Sequence, residues 1–376
     1  MPTHKTLKAL FGGIADAIRE KTGESEQIVA DNFPTAIQAI VTGIQTTIEV
    51  TTKARATVTA TQGGTIVNGT ADGSGHCSLA VKEAGTWTVS ATLEGERALP
   101  VSVAVVSQYE ANVPFVSTTL NDNDWLTISE VSSSGQGQNY FSVGDTKSIP
   151  LNGNLVGTIY SNKVVDAVII GFDHNAEKEG NDLIHFQLGK IGSQQVALCD
   201  SHYPSSGSSE GFRMNPSDTN AGGWSNSYMR NIVLGNSGTP ASPPDNSLMA
   251  IIPAELRNVL KSVTKWTDNA GNGSASSSNI TSTTDFFSLP SEFEVMGSKT
   301  NANQYEQNHQ TQYAFYKSGN AKLRYKDTAT TTVVHWALRS PGASAANTFC
   351  QINDDGNARN TNVADASTGL APIFYI

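Results

Sequence analysis

The chain opens with helical spacing. Leu7, Leu10, Phe11, Ile14, Ala17 and Ile18 fall on one face before Gly23, which predicts a first helix. A second short helix is expected from Pro34, with Asp31 or Asn32 as its cap and Ile37, Ile40, Val41 and Ile44 as its apolar stripe. Two short amphipathic helices bury too little surface to stand alone, so residues 1–45 read as a helical hairpin for attachment or oligomerisation. From residue 46 the period changes to two. Runs such as Ala56-Thr57-Val58-Thr59-Ala60 and Thr86-Trp87-Thr88-Val89 alternate apolar with small polar residues, with turn signals at Gly63-Gly64, Asp72-Gly73 and Glu94-Gly95. Residues 46–107 therefore read as a small β-sandwich.

Residues 108–120 read as an extended linker, and a third domain is expected over 121–376. It starts with a short helix at Asp124-Trp125-Leu126-Thr127-Ile128, which Val131 continues and Ser132 to Gly135 ends. A strand and turn follow within 141–149, and the apolar run from Val164 to Phe172 predicts a central strand. Residues 225–234 and 253–263 look helical, while 201–221 and 269–284 read as long polar connections. Tyr313-Ala314-Phe315-Tyr316 looks strand-like. Near the end, Trp336 to Gly342 and Gly369 to Ile376 are apolar, and an apolar closing segment implies a final strand inside the core. The polar stretch 351–368 between them reads as a hydrophilic excursion, the setting of a recognition loop on a rigid scaffold.

With 376 residues the chain is long enough for two or three domains, and its 33 glycines and 15% charged residues suit a loop-rich, mainly β protein. A net charge of −10 without a Lys/Arg cluster disfavours nucleic acid. No run is long and apolar enough for a membrane span, and Met1 to Ile14 shows no uninterrupted apolar signal segment. Cys77, Cys199 and Cys350 suggest neither a disulfide framework nor zinc; they read as free thiols, with Cys199 to Cys350 as the one pairing to test.

Several motifs occur in a set order. They are Gly144-Asp145, Ile169-Ile170-Gly171-Phe172-Asp173-His174-Asn175, Gly222-Gly223-Trp224-Ser225 with Met229-Arg230, Phe287-Ser288-Leu289-Pro290-Ser291-Glu292-Phe293-Glu294, Trp336-Ala337-Leu338-Arg339-Ser340-Pro341 and Ala371-Pro372-Ile373-Phe374. Together they resemble a domain family common in phage tail and surface proteins of Gram-positive and gut bacteria. The resemblance implies a C-type-lectin-like (formylglycine-generating-enzyme-like) α+β domain. Ala84-Gly85-Thr86-Trp87-Thr88-Val89 with Glu94-Gly95 resembles the immunoglobulin-like spacers of such proteins, and the N-terminal run resembles the start of many tail fibre proteins. What the resemblances imply is a noncatalytic bacteriophage virion protein, a tail fibre or other surface protein, whose C-terminal domain binds the host-surface receptor, a glycan or a protein. The N-terminal helices would join it to other virion proteins as a homo-oligomer, a trimer being favoured. It would sit on the virion surface after assembly in the host cytoplasm and release by lysis. The alternatives are a structural decoration or adaptor protein of fibre, neck or capsid, then a bacterial adhesin or a glycan depolymerase.

The chemistry-bearing residues show no nucleophile elbow, metal helix or paired ligand spacing, so no catalytic residue, metal or cofactor is expected. Ligand contact is assigned to Asn353, Asp354, Asp355, Asn357, Arg359, Asn360 and Asn362, and to Asn303, Tyr305 and Asn308, where amides beside an aromatic suit hydrogen bonding and stacking. Trp224, Trp336 and Phe374 are assigned to the core, and Arg230 and Arg339 to ion pairs with carboxylates such as Glu292 or Glu294.

Overall fold

The computed structural model describes residues 16, 46–105, 109–201, 203, 212–362 and 368–376. Apart from Asp16, the helical hairpin expected over 1–45 lies outside them. The chain divides into two compact units, Met1–Ser117 and Thr118–Ile376, and is mainly β.

Among the described residues the first unit contains nine strands: β1 (Thr46–Thr51), β2 (Thr57–Gln62), β3 (Thr65–Thr70), β4 (His76–Val81), β5 (Gly85–Leu93), β6 (Glu96–Ala98), β7 (Val101–Val105), β8 (Tyr109–Asn112) and β9 (Phe115–Val116). They form one sheet of order β4-β1-β8 and a second of order β3-β2-β5-β6-β9, with β7 also paired to β5. Alternation determines which side chains meet: Ile48, Val50, Val58, Leu79, Trp87, Val89 and Val105 are buried in one apolar cluster. The Trp87 indole N–H donates to the Glu83 carbonyl at 3.0 Å, so the largest core side chain leaves no polar atom unpaired. At the β2–β3 turn, Gly63 and Gly64 have φ of 52° and 92°, the backbone a tight hairpin needs. The expected linker is a correction: β8 runs parallel to β1, and β9 pairs with β6. Polar Tyr-Glu-Ala-Asn gives no periodicity, and only the open edge of β1 makes it a strand.

The second unit is built on an eight-stranded sheet. It contains β10 (Thr146–Leu155), β11 (Thr158–Phe172), β12 (Ile184–Ile191) and β13 (Gln194–Ala197), followed by the hairpin of β14 (Val263–Asp268) and β15 (Ile280–Asp285). Then come β16 (Phe287–Ser288), β17 (Arg324–Lys326), β18 (Ala329–Val334), the three-stranded sheet of β19 (Trp336–Pro341), β20 (Thr348–Ile352) and β21 (Ala358–Asn362), and finally β22 (Ile373–Tyr375). The main sheet has the order β10-β11-β12-β13-β17-β18, and β22 joins it by pairing with β12 and β16. Ile376 and Ile184 exchange backbone bonds at 3.0 and 3.1 Å, and the Ser132 hydroxyl donates to the terminal oxygen of Ile376 at 2.6 Å. Phe374 stacks on Phe186, with ring centroids 5.2 Å apart, and meets Trp125 edge-on. Among the described residues no helix is long and apolar enough to cross a membrane.

Local readings changed where tertiary contacts prevailed. Residues 225–234 are not one helix but Gly223–Asn226 and a wide turn at Met229–Val233, because the Ser227 hydroxyl bonds back to the Trp224 carbonyl. Within 253–263 only Ala254–Arg257 is helical, and Val263 already begins β14. The polar connection 269–284 contains most of β15, whose Thr-rich sequence suits a strand once β14 lies beside it. The strand-like run at 313–316 lies in the helical turn Ala314–Lys317. We expect Phe374→Ala to cost about 3–5 kcal/mol in denaturant unfolding of the C-terminal unit, followed by tryptophan emission, because it leaves a cavity between Phe186 and Trp125.

Candidate functional site

The C-terminal unit holds a dense set of buried ionisable groups. The helix Glu292–Met296 starts with a capping box: the Ser291 hydroxyl accepts from the Glu294 N–H, and the Glu294 carboxylate accepts from the Ser291 N–H, each at 3.0 Å. This fixes Glu294 facing inward toward β14 and β19. From β19, Arg339 makes a bidentate pair with it, one nitrogen at 2.8 Å, and donates further to the Thr267 hydroxyl and the Leu289 carbonyl. From β14, Lys265 reaches three acceptors with its three N–H groups: Glu179 at 2.7 Å, the Tyr313 hydroxyl at 3.0 Å and Glu294 at 3.3 Å. Lys265, Glu294 and Arg339 are all fully buried.

Two cations thus face two carboxylates. For Glu294 burial alone would raise the pKa, but Arg339 and then Lys265 outweigh it and hold the group well below the usual range. Glu179 lacks the arginine, and burial pushes it up to about 7 against the pull of Lys265. His174 stacks on Tyr313 at 3.7 Å; burial, helped by Lys265, lowers it to about 3, and His185 is driven down for the same reasons. Both rings are held neutral. A second buried carboxyl, Glu306, accepts from the Asp268 N–H at 3.0 Å and the Ser340 hydroxyl at 2.6 Å, and burial raises it to about 7.

His174, Glu179 and Glu294 place one ligand atom each within 4.8 Å of one another, close enough to suggest a metal ion. The donor set argues against one, because the Lys265 ammonium already sits against both carboxylates and a divalent ion would have to expel it. The cluster therefore serves as a charge-balanced clasp joining β14, β19 and the helix at 292–296.

The residues assigned to ligand contact divide. Stretch 351–368 is not one open loop, since β20 and β21 pair from Thr348↔Asn362 to Ile352↔Ala358. At the tip, Asp354, Asp355, Asn357 and Arg359 are exposed. The Asp355 carboxylate accepts from the Asn357 N–H at 2.9 Å and from Arg359 at 3.0 Å, and the Asn357 contacts chiefly hold it down to about 2. Asn353 turns inward to Gln351 and His335, and Asn360 lies beside the Cys350 thiol; both brace the hairpin. Asn362 ends β21. Asn303 corrects the sequence reading, being fully buried with its amide donating to Asp268 at 2.7 Å and to the Ser276 carbonyl at 2.9 Å. Tyr305 is half-buried and Asn308 exposed.

Trp224, Trp336 and Phe374 are buried. Arg230 pairs with Asp285 at 2.6 Å rather than with Glu292 or Glu294, because the β14–β15 hairpin brings Asp285 under it. Glu292 instead accepts backbone N–H groups of Thr300, Asn301 and Ala302. All three cysteines are free and buried; burial pushes the Cys199 thiol up to about 12 and Cys350 well up too.

Residues 207–376 match the family model of DUF6273, a domain of unknown function. No curated protein matches the sequence. Among solved structures, a chain of a type II cohesin–X-dockerin complex from Acetivibrio cellulolyticus, a C-terminal interface mutant, is similar over 20% of this chain. The match spans 60% of that chain at 19% identity and a TM-score of 0.17, a level at which the likeness decides nothing about fold or function.

Lys265→Met should destabilise the unit by about 3–5 kcal/mol in denaturant unfolding, since it strands the buried Glu179 carboxylate and leaves Glu294 to Arg339 alone, and adding Glu179→Gln should restore part of the loss. The pH response follows from the signs. Glu294, held low, contributes stability that is lost as pH falls below its ordinary 4.5; the histidines, also held low, lose theirs as pH falls below 6.5. Glu179 and Glu306, pushed up, contribute fully below 4.5 and lose that contribution as pH rises through about 7. The opposing trends offset one another between 4.5 and 6.5. Below 4.5 only the loss remains, so melting temperatures measured across pH should drop steeply there.

Proposed function

We propose that this chain is a noncatalytic recognition protein of a virion surface, in which the first unit is an immunoglobulin-like spacer and the C-terminal unit a C-type-lectin-like domain that binds the host-cell surface. The virion setting rests on the sequence resemblances. The reading of the C-terminal unit is supported by one contrast: its densest set of acids, bases and histidines is locked in a buried, charge-balanced clasp, while a braced hairpin presents exposed polar groups to solvent. Asp354, Asp355, Asn357 and Arg359 form a small surface of mixed charge and amide character on a rigid support, which suits hydrogen-bonded recognition of a glycan or protein. Low affinity at each site would be offset by several copies on one particle.

The full chain should bind host cells. Replacing Asp354, Asp355, Asn357 and Arg359 together with Ala should weaken that binding roughly tenfold or more without lowering the melting temperature, because the tip residues carry no core contact. Unchanged adsorption by the fourfold variant would sink the hairpin assignment. Absence of cell binding by the wild type, with every copy fixed in the particle, would favour a structural adaptor.

A further inference from the structure

From Val263 to Thr267 β14 alternates buried with half-buried residues, and its two faces do different things. Lys265 and Thr267 point into the clasp, so Thr264 and Trp266 are turned outward. Trp266 is the exception among the five tryptophans: Trp87, Trp125, Trp224 and Trp336 are buried, whereas Trp266 is only half-buried. The indole N–H groups of Trp87, Trp224 and Trp336 are spent on internal acceptors. The Trp266 indole stacks on His309, with ring centroids 4.8 Å apart and planes 13° from parallel. Its backing is fixed, because the His309 carbonyl accepts from the Asn175 amide at 2.9 Å, its N–H donates to the Glu306 carbonyl at 3.0 Å, and the Trp266 carbonyl accepts from Gln310 at 2.7 Å.

Across the hairpin the neighbours of this aromatic are hydroxyls, and the guanidinium of Arg230, already paired with Asp285, donates to the Thr284 carbonyl at 3.2 Å. In register across the hairpin, Trp266 faces Ser282 and Thr264 faces Thr284, both exposed on β15, and exposed Asn308 adjoins His309. A flat apolar plate ringed by neutral hydrogen-bonding groups complements a pyranose, whose C–H face stacks on indole while its hydroxyls bond at the rim. A protein partner would more often call for an apolar patch, and an anionic ligand for a cation not already paired, whereas Arg230 beside Thr284 is held by Asp285. We infer that the outward face of the β14–β15 hairpin is a saccharide-binding site in which Trp266, backed by His309, stacks on an uncharged sugar ring held by Ser282 and Thr284. The inference deepens the recognition function proposed above and rests on it, but it uses a surface separate from the β20–β21 tip.

The experiment uses the full chain with chitohexaose, maltohexaose and mannohexaose as probes. Because the other tryptophans are buried, iodide should quench Trp266 selectively, and a bound sugar should protect it. At least one probe should bind at millimolar strength by calorimetry. Trp266→Ala should weaken that binding roughly tenfold or more, Trp266→Phe less, and Ser282→Val severalfold, with circular dichroism unchanged. Should Trp266→Ala fail to fold, the Phe and Val variants carry the test. The inference falls if no probe gives heat or protection, or if all three variants bind as the wild type does. Cell binding without saccharide binding would overturn this site and leave the recognition function standing, whereas saccharide binding without cell binding would do the reverse.

Discussion

The bidentate pairing of Arg339 with Glu294, completed by Lys265, is the interaction on which the C-terminal unit depends. Burying two carboxylates and two cations is costly, and it is tolerable only when each charge meets an opposite one and nearly every N–H finds an acceptor. That condition is met by three donors of Lys265 on three oxygens, and by Arg339 divided among Glu294, Thr267 and Leu289. The elements involved can shift little without stranding a charge. The clasp thus acts less as a source of net stability than as a constraint on which arrangement of β14, β19 and the helix at 292–296 can exist.

The surface geometry follows from that constraint. Because Lys265 must point inward, Trp266 must point outward, and the capping box that aims Glu294 also sets the start of the helix at Glu292, with its backbone nest. Glu292 in turn holds Asn301, whose amide reaches the Ala358 carbonyl at the start of β21, beside the hairpin's tip. Hydrogen bonds joined by the Ser291–Glu292 peptide link therefore connect the buried charges to the hairpin that carries Asp355 and Arg359. A surface supported this way would lose little entropy if it bound a ligand, since the scaffold already orders its side chains.

Much of the strand content could be read directly. The first unit alternates cleanly because each sheet has one wet face and one dry face, and β22 announces itself as an unbroken apolar run. Legibility failed wherever polar residues are inside. Asn303 looked like surface because amides usually are, yet it is enclosed by Asp268 and Ser276. β15 looked like a loop because Thr and Ser carry little hydropathy, and β8 because its four residues have no pattern of their own. Glu179, Lys265 and Glu306 gave no signal as a group, being spread over more than a hundred positions, and only Arg339 and Glu294 stood in motifs that invited a pairing.

Val263 to Asp268 marks the boundary between the two kinds of knowledge. Taken alone, the sequence determined the mainly β character, the change of period at residue 46 and the buried closing strand, because each depends on side chains partitioning by their own hydropathy. For Val-Thr-Lys-Trp-Thr-Asp the same rule would put the tryptophan inside and the lysine outside. The tertiary structure reverses both, since Glu179 and Glu294, far away in sequence, already wait at the inner face and only a cation can balance them.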